Sequence, residues 1–483
     1  DPDRTGVIVG MGCDATIARQ RLRVQHADDD GWLAANAEAA PRLTADGVVG
    51  TMPNIPANRI HAQRDFRGFG FTVSSEELSG ITALRIAARA LRSGELDAVV
   101  AGAVDMCCEP AHERAADALG AGGAGPHGDA AVAFVLKRRA DAEAAGDEII
   151  AVVGTGATGQ PDPNVAAERF GRTHAAGAAV EIASRAMALQ SRVRVDEAGA
   201  QPAPGGTRGS VWLESIGGRA DGVTLSAGSG APTPVALGAI PITERYAGAD
   251  RSDLLGRMSR HEPGGTGPVR CALVADSETA LEALRRSAVD RLQRGDAPAG
   301  PGIVFADRPI TGELAFTFTG AAAAYAGAGR DLLLAWPEIG DALADRLSGV
   351  GDLAEAMYGA GITTLTPRTQ LTGCAVVCQS HAEFSRTVLG LAPEAAIGLS
   401  SGETNSMMAF GVWRDLEPML DEIEASGMYG DQLTGRCTVA AEDWGLGDDQ
   451  PAPWECWRIT APRAAIEAAL EREPRAYMTI VQA

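Results

Sequence analysis

Lysine is nearly absent from this 483-residue chain: Lys137 is the single one, and every other basic side chain is an arginine. Acidic residues outnumber basic ones 63 to 42, for a formal net charge of −21. Phosphate backbones and anionic bilayers are held by clustered cations, so this balance argues against nucleic acid and membrane surfaces as partners. Long apolar runs are missing too. None approaches the ~20 residues of a membrane span, and no leader-like segment opens the chain; a soluble, cytoplasmic location is the expectation. The eight cysteines include no CxxC pair, so no metal site is expected from spacing. Histidine is sparse, with seven in all and none beyond His381.

What is present is alanine, glycine and short apolar runs. The length suggests two to four domains at ~100–200 residues each. Runs at 6–10, 97–104, 130–137 and 149–153 read as buried strands, and 79–93 carries an apolar stripe of Ile81, Leu84, Ile86 and Leu91. Their alternation predicts an α/β architecture. From about 199 to 270 the composition turns to Gly, Pro and polar residues, read as turns and connectors broken by SVWLESIGG and VALGAIPI. A helix restarts at 276–294 with Asp276 or Ser277 as its cap. A second α/β block follows, with strands at 313–320 and 394–398, a helix at 370–390, and a closing β-α-β signal in WECWRIT, APRAAIEAALERE and PRAYMTIVQ. The polar opening and strand-like close suggest a segment of a longer protein.

Two short stretches carry chemistry. AAIGLSSGETNSMMAFG (395–411) has the GxSxG spacing of a nucleophile elbow, in which Gly398 and Gly402 allow a sharp strand-to-helix turn beneath Ser400. A catalytic serine and a plain structural turn both fit that spacing. The base is the difficulty, because only His381 lies in the preceding hundred residues and no histidine follows. TVSSEELSG (72–80) places Glu76 and Glu77 together, and Ser74 with Glu77 reads as a capping box. His127 and His174 read as hydrogen-bonded structural groups, and Met407, Met408 and Phe410 as core.

The second block resembles the acyltransferase domain of fatty acid and polyketide synthases. ELAFTFTGAAAAYAGAGRDLL (313–333), TPRTQLTGCAVV (366–377) and GLSSGE (398–403) follow that family's strand and loop, its Thr-Gln-Pro-Ala segment and its GHSxGE elbow. The resemblance implies Ser400 as acyl-carrying nucleophile and the Ser401 N–H as an oxyanion donor. It also exposes departures: the family's oxyanion glutamine falls on Ala321, its elbow histidine on Leu399, and its malonyl-binding arginine has no counterpart in the acidic 416–430.

The first block resembles a ketosynthase, through GVIVGMGCD (6–14), PNIPANRIHAQRDFRGFGFTV (53–73), RALRSGELDAVVAGAVD (89–105), GDAAVAFVLKRRADAEAAGD (128–147) and FGRTHAAGAAVEIASRAMAL (170–189), in order. The match puts the family's nucleophilic cysteine on Glu77 and one catalytic histidine on Arg172, and residues 155–170 contain no histidine where the other belongs. Arg172 and Glu77 could then pair across a vestigial site. That pattern is similar to a chain-length factor, the non-condensing partner of a ketosynthase, as in polyunsaturated fatty acid synthases.

The resemblances together imply a thiolase-like domain over 1–228, a connecting α/β linker over 229–310, and over 311–483 an acyltransferase with an α/β-hydrolase-like core ending inside a ferredoxin-like subdomain. They imply a ketosynthase and an acyl carrier protein as partners, substrates carried on phosphopantetheine or CoA, no cofactor held by this chain, and a non-malonyl acyl group on Ser400. A silent scaffold is the alternative from another class; a free-standing α/β-hydrolase is disfavoured by the first block.

Overall fold

The computed structural model describes residues 1–12, 14, 16–119, 125–156, 165–196, 199–235, 241–347, 349–359, 361–414, 417–433, 435–447 and 450–481. The first block opens with β1 (Thr5–Met11), helix α1 (Ile55–Arg64), β2 (Gly70–Val73), α2 (Ser79–Ser93), β3 (Ala98–Met106), α3 (Pro110–Ala118) and β4 (Asp129–Lys137). The sheet runs β2-β1-β3-β4, with β1 parallel to both neighbours and β4 antiparallel at the edge. Then come β5 (Ala151–Thr155), α4 (Val165–Phe170), α5 (Gly177–Gln190), the hairpin β6 (Val193–Asp196) and β7 (Gly199–Pro202), β8 (Arg208–Glu214) and β9 (Ala220–Ala227). These build a second sheet, β5-β9-β8.

The helices α2 and α5 are the glue between the two sheets. Ile81, Leu84, Ala87 and Leu91 recur at helical spacing on α2, which ends at Gly94 in the left-handed region (φ 75°). They pack with Ile8 and Val99 of the first sheet, with Ala178 and Ile182 of α5, and with Val211, Val223 and Leu225 of the second. Each fully buried Leu or Ile contributes about 1.5–3 kcal/mol.

The Gly- and Pro-rich stretch is not mainly connector. It supplies β7, β8 and β9, and then β10 (Ile242–Gly248). Strands of four to eight residues lie between the punctuating glycines, and the buried ADGVTLSA of β9 is flanked by β5 and β8 on both edges. The composition of the turns masked them. VALGAIPI falls largely on 236–240, outside the described residues.

A separate three-stranded antiparallel sheet comprises β10, β11 (Val269–Ala275) and β12 (Ile303–Ala306), with α6 (Arg251–Ser259) and α7 (Glu278–Gln293) packed on it. Ser277 caps α7, accepting from the Ala280 N–H. Arg285, buried on α7, is held by Glu244 at 2.9 Å. Burial pushes the Glu244 carboxyl up, but the hydrogen bonds from Arg285 and Tyr246 outweigh it and hold the carboxyl below its ordinary value.

The second block pairs β13 (Ala315–Phe318) in parallel with β14 (Ala395–Gly398). Between them lie α8 (Arg330–Ala335), α9 (Pro337–Ala344), α10 (Val350–Tyr358) and α11 (Pro367–Thr387); α12 (Ser401–Ala409) follows β14, and α13 (Glu417–Ala425) lies beyond. The β6–β7 hairpin rests on these helices: Arg192 Nε lies 2.8 Å from Asp341, and Arg330 Nε donates to Gln201 at 2.9 Å.

The closing β-α-β unit is corrected. Its helix forms, as α14 (Arg463–Leu470), but neither WECWRIT nor the described part of PRAYMTIVQ is a strand. Both are largely exposed, with Trp457 and Ile480 facing outward, and among the described residues neither has a neighbouring strand to take its backbone groups. No described helix is long and apolar enough to cross a membrane.

Candidate functional site

The first site lies where β1 and β3 end and α2 begins. The expected capping box is absent: α2 starts at Ser79 with Leu78 as cap residue, and Ser79 Oγ accepts from the Ser75 N–H and donates to the Glu76 carbonyl. The reason is Glu76, which turns the chain through the left-handed region (φ 50°) and ends the regular path that Ser74–Glu77 spacing assumed. Glu77 Oε2 instead accepts from the Ile216 N–H at 3.1 Å.

Glu76, not Glu77, carries the polar array. Its Oε2 lies 3.0 Å from His174 Nε2, and His174 Nδ1 lies 2.8 Å from Asp105 Oδ2. His174 is itself held at φ 35°, so both ends of the first contact are in uncommon backbone conformations. Burial alone would push the His174 pKa down; the Asp105 hydrogen bond and the charges of Asp105, Glu77 and Glu76 outweigh it and raise the value. The array favours an imidazolium donating from both nitrogens. Gly12 lies over it: a Cβ there would stand 2.6 Å from Asp105 Oδ2 and 3.3 Å from His174 Nδ1.

Glu77, Arg172, His112, His127, His174 and Glu181 line one cleft of about 160 Å³. Arg172 arrives there because 126–128 and 170–172 run side by side: the Arg172 N–H donates to the Pro126 carbonyl, and the Gly128 N–H to that of Arg172. Gly128 and Gly171 permit that approach, since a Cβ on Gly128 would fall 1.9 Å from the Phe170 carbonyl. The guanidinium meets His127 Nε2 at 3.1 Å, so histidine is the partner found where Glu77 was expected. The three histidine rings are neighbours, His112 lying 5.2 Å from His174 and 6.0 Å from His127 between centroids. His112 was missed by the sequence reading, for its position in α3 offers no motif. No cysteine lines this cleft among the described residues. Cys107, buried nearby, has its thiol pushed up to about 12 by burial and the charges of Asp105 and Asp129. Residues 157–164, part of the stretch searched for a second catalytic histidine, lie outside the described residues.

The second site is the GxSxG turn. Ser400 joins β14 to α12 at φ 56° and ψ −128°, conformations that an L-residue adopts at a cost. Both glycines are dictated by contact: a Cβ on Gly398 would stand 2.2 Å from the Gly402 backbone, and one on Gly402 2.3 Å from the Phe318 carbonyl. Ser400 is exposed, and the Ser401 N–H is at the first turn of α12, where helical donors lack intrahelical partners. The Ala321 N–H donates to Ser401 Oγ at 2.8 Å, tying the loop after β13 to the elbow. Behind it Asn405 donates to the Thr319 carbonyl at 3.2 Å, and Gln379 to the Asn405 carbonyl at 2.9 Å. No described histidine hydrogen-bonds Ser400, and His381 is exposed on α11. Met408 is core, whereas Met407 and Phe410 are exposed, Phe410 beneath the Arg386 guanidinium. On α13, Glu424 pairs with Arg368.

The parallel β1, the helix that starts behind a strained turn, and the polar cleft at the strand ends coincide with a family match: the model of the β-ketoacyl synthase N-terminal domain covers residues 1–142. Residues 1–142 are thus similar to a ketosynthase N-terminal domain. The chain is 30% identical over 248 residues to a mycocerosic acid synthase-like polyketide synthase of Mycolicibacterium smegmatis, covering 46% of this chain and 11% of that protein. It is 34% identical over 120 residues to a phthioceranic/hydroxyphthioceranic acid synthase of Mycobacterium tuberculosis, covering 22% and 6%. A highly reducing polyketide synthase of Penicillium rubens matches at 33% over 138 residues, 26% of this chain and 5% of that one. The chain thus matches about a tenth or less of these relatives. An oxazolomycin ketosynthase domain of Streptomyces albus covers 69% of this chain at 18% identity, with a TM-score of only 0.31 and 73% of its own length matched. The cleft described above draws Glu77, His112 and His127 from the region similar to ketosynthases, and Arg172, His174 and Glu181 from beyond residue 142.

Proposed function

We propose that this chain is a synthase segment whose ketosynthase-like half does not condense, acting as a chain-length factor beside a ketosynthase, and whose second half carries an acyl group on Ser400. The observation that carries the reading is the backbone of Ser400: an exposed hydroxyl on a strained strand-to-helix turn, beside the first-turn N–H of Ser401, is the arrangement an acyl ester and its oxyanion require. In the first half, glutamates occupy the turn before α2 and no thiol of a described residue lines the cleft, so among the described residues the thiolate that Claisen condensation needs has no candidate there. Edge strand β4 offers a surface for a partner, with Val135 three-quarters exposed and one side open among the described residues. Acidic α13 disfavours a malonyl carboxylate, supporting a non-malonyl acyl group.

A silent scaffold is the second reading, supported by Ala321, which brings no side-chain donor, and by the lack of a described histidine on Ser400. Incubating the protein with acyl-CoA or acyl carrier protein and weighing it intact separates the two. Transfer predicts a mass gain equal to the acyl group that vanishes in Ser400→Ala; no gain with any acyl donor leaves the scaffold.

A further inference from the structure

Asp105 of the Glu76 array forms a compact group with Cys107 and His112, which neither that array nor the elbow uses. A carboxylate oxygen, the Cys107 Sγ and a ring nitrogen of His112 all lie within 4.8 Å of one another. Ligand atoms around a tetrahedral zinc are separated by roughly 3.5 Å, so modest side-chain rotation closes the set.

The surroundings hold these donors in place. Asp105 is the penultimate residue of β3, and Cys107 follows directly, fully buried. Glu109 accepts the N–H groups of Ala111 and His112 at 2.9 and 3.0 Å, which starts α3 and puts His112 in its first turn. Arg19 pairs with Glu109 from outside. The Asp105 carboxylate is fixed by His174 Nδ1 at 2.8 Å, the Ala175 N–H at 3.2 Å and the Met106 N–H at 2.9 Å. Metal-ligating carboxylates are characteristically oriented by such outer hydrogen bonds. The His112 ring makes no hydrogen bond to a described residue, although it lines the cleft. One thiol, one imidazole and one carboxylate form a mixed set that suits zinc rather than magnesium or calcium.

We propose that Asp105, Cys107 and His112 bind a divalent cation, zinc by donor type, with the fourth position left to water or another exogenous ligand at the three-histidine cleft. Binding replaces the Cys107 thiol proton, which leaves to solvent, and involves no redox step.

The test uses the full chain, stripped with a chelator and titrated with Co²⁺. One cobalt per chain is expected, with a thiolate-to-cobalt band in the near ultraviolet and visible bands of four-coordinate intensity, all displaced by Zn²⁺. Cys107→Ser removes the near-ultraviolet band, and His112→Gln weakens binding by about tenfold or more. Cys108→Ser and the Cys374→Ser/Cys378→Ser double variant leave band and stoichiometry unchanged. A folded wild-type chain that takes up no stoichiometric cobalt, or a band that survives Cys107→Ser, overturns the site. If Cys107→Ser does not fold, His112→Gln decides, and unchanged affinity there overturns it.

Discussion

Two strand-to-helix turns in this molecule have the same device and opposite side-chain fates. Between β2 and α2, Glu76 is held at φ 50°; between β14 and α12, Ser400 is held at φ 56°. Glu76 spends its side chain on His174, 3.0 Å away, whereas Ser400 remains exposed with no described histidine attached. A strained turn at the end of a parallel strand thus supplies position only. The residue at its apex, and what faces it, decide whether the position becomes a held carboxyl or an exposed hydroxyl.

The strongest way to break the comparison is Gly402→Ala, whose new Cβ would meet the Phe318 carbonyl at 2.3 Å. Since backbone cannot step aside cheaply, about 3 kcal/mol of stability is expected to be lost in urea denaturation. Acyl loading on Ser400 should fall with it. Ser400→Gly is the converse: it relieves the backbone and should raise stability by about 1 kcal/mol. Glu76→Gly makes the same backbone change but also surrenders the His174 contact, so its net effect should lie near zero; the contrast between the two glycine variants measures what the array contributes.

The smallest effect is electrostatic. Burial pushes the Glu181 carboxyl up more strongly than the Ala166 and Ala167 N–H groups pull it down. A carboxyl whose folded pKa is raised contributes stability that is complete below the ordinary glutamate range and lost as pH rises through the raised value. Glu181→Gln, which keeps an acceptor for those N–H groups, should therefore be more stable than wild type near neutral pH. The difference should shrink as the pH falls through the glutamate range, and thermal melts at several pH values would read it.

Much of this architecture is legible from residue order. The apolar stripe of 79–93 coincides with α2, Ser277, one of the two candidate caps, caps α7, and the strand before Ser400 is β14. Helical periodicity and cap chemistry are local, so neighbouring residues report them. The first site was read less well for the same reason. Counting along the chain picked Glu77, which does line the cleft, but the contact to His174 is made by its left-handed neighbour Glu76. His112, His127 and His174 come together only because α3, the 126–128 segment and the turn before α5 converge, which no spacing records. At the C-terminal side, WECWRIT has strand composition without a strand partner, and composition alone cannot supply one.

The junction between the two blocks constrains motion. Arg192, nearly buried and at φ 53°, grips Asp341 of α9 with its Nε 2.8 Å from the carboxylate. Parting the blocks would break that ion pair, whose guanidinium is also held by the Leu189 carbonyl. The cleft and Ser400 thus sit on blocks tied together by this pair, by Arg330 to Gln201 and by Arg194 to Glu355. Any tethered acyl group that visits both must cover the distance with the reach of its own arm.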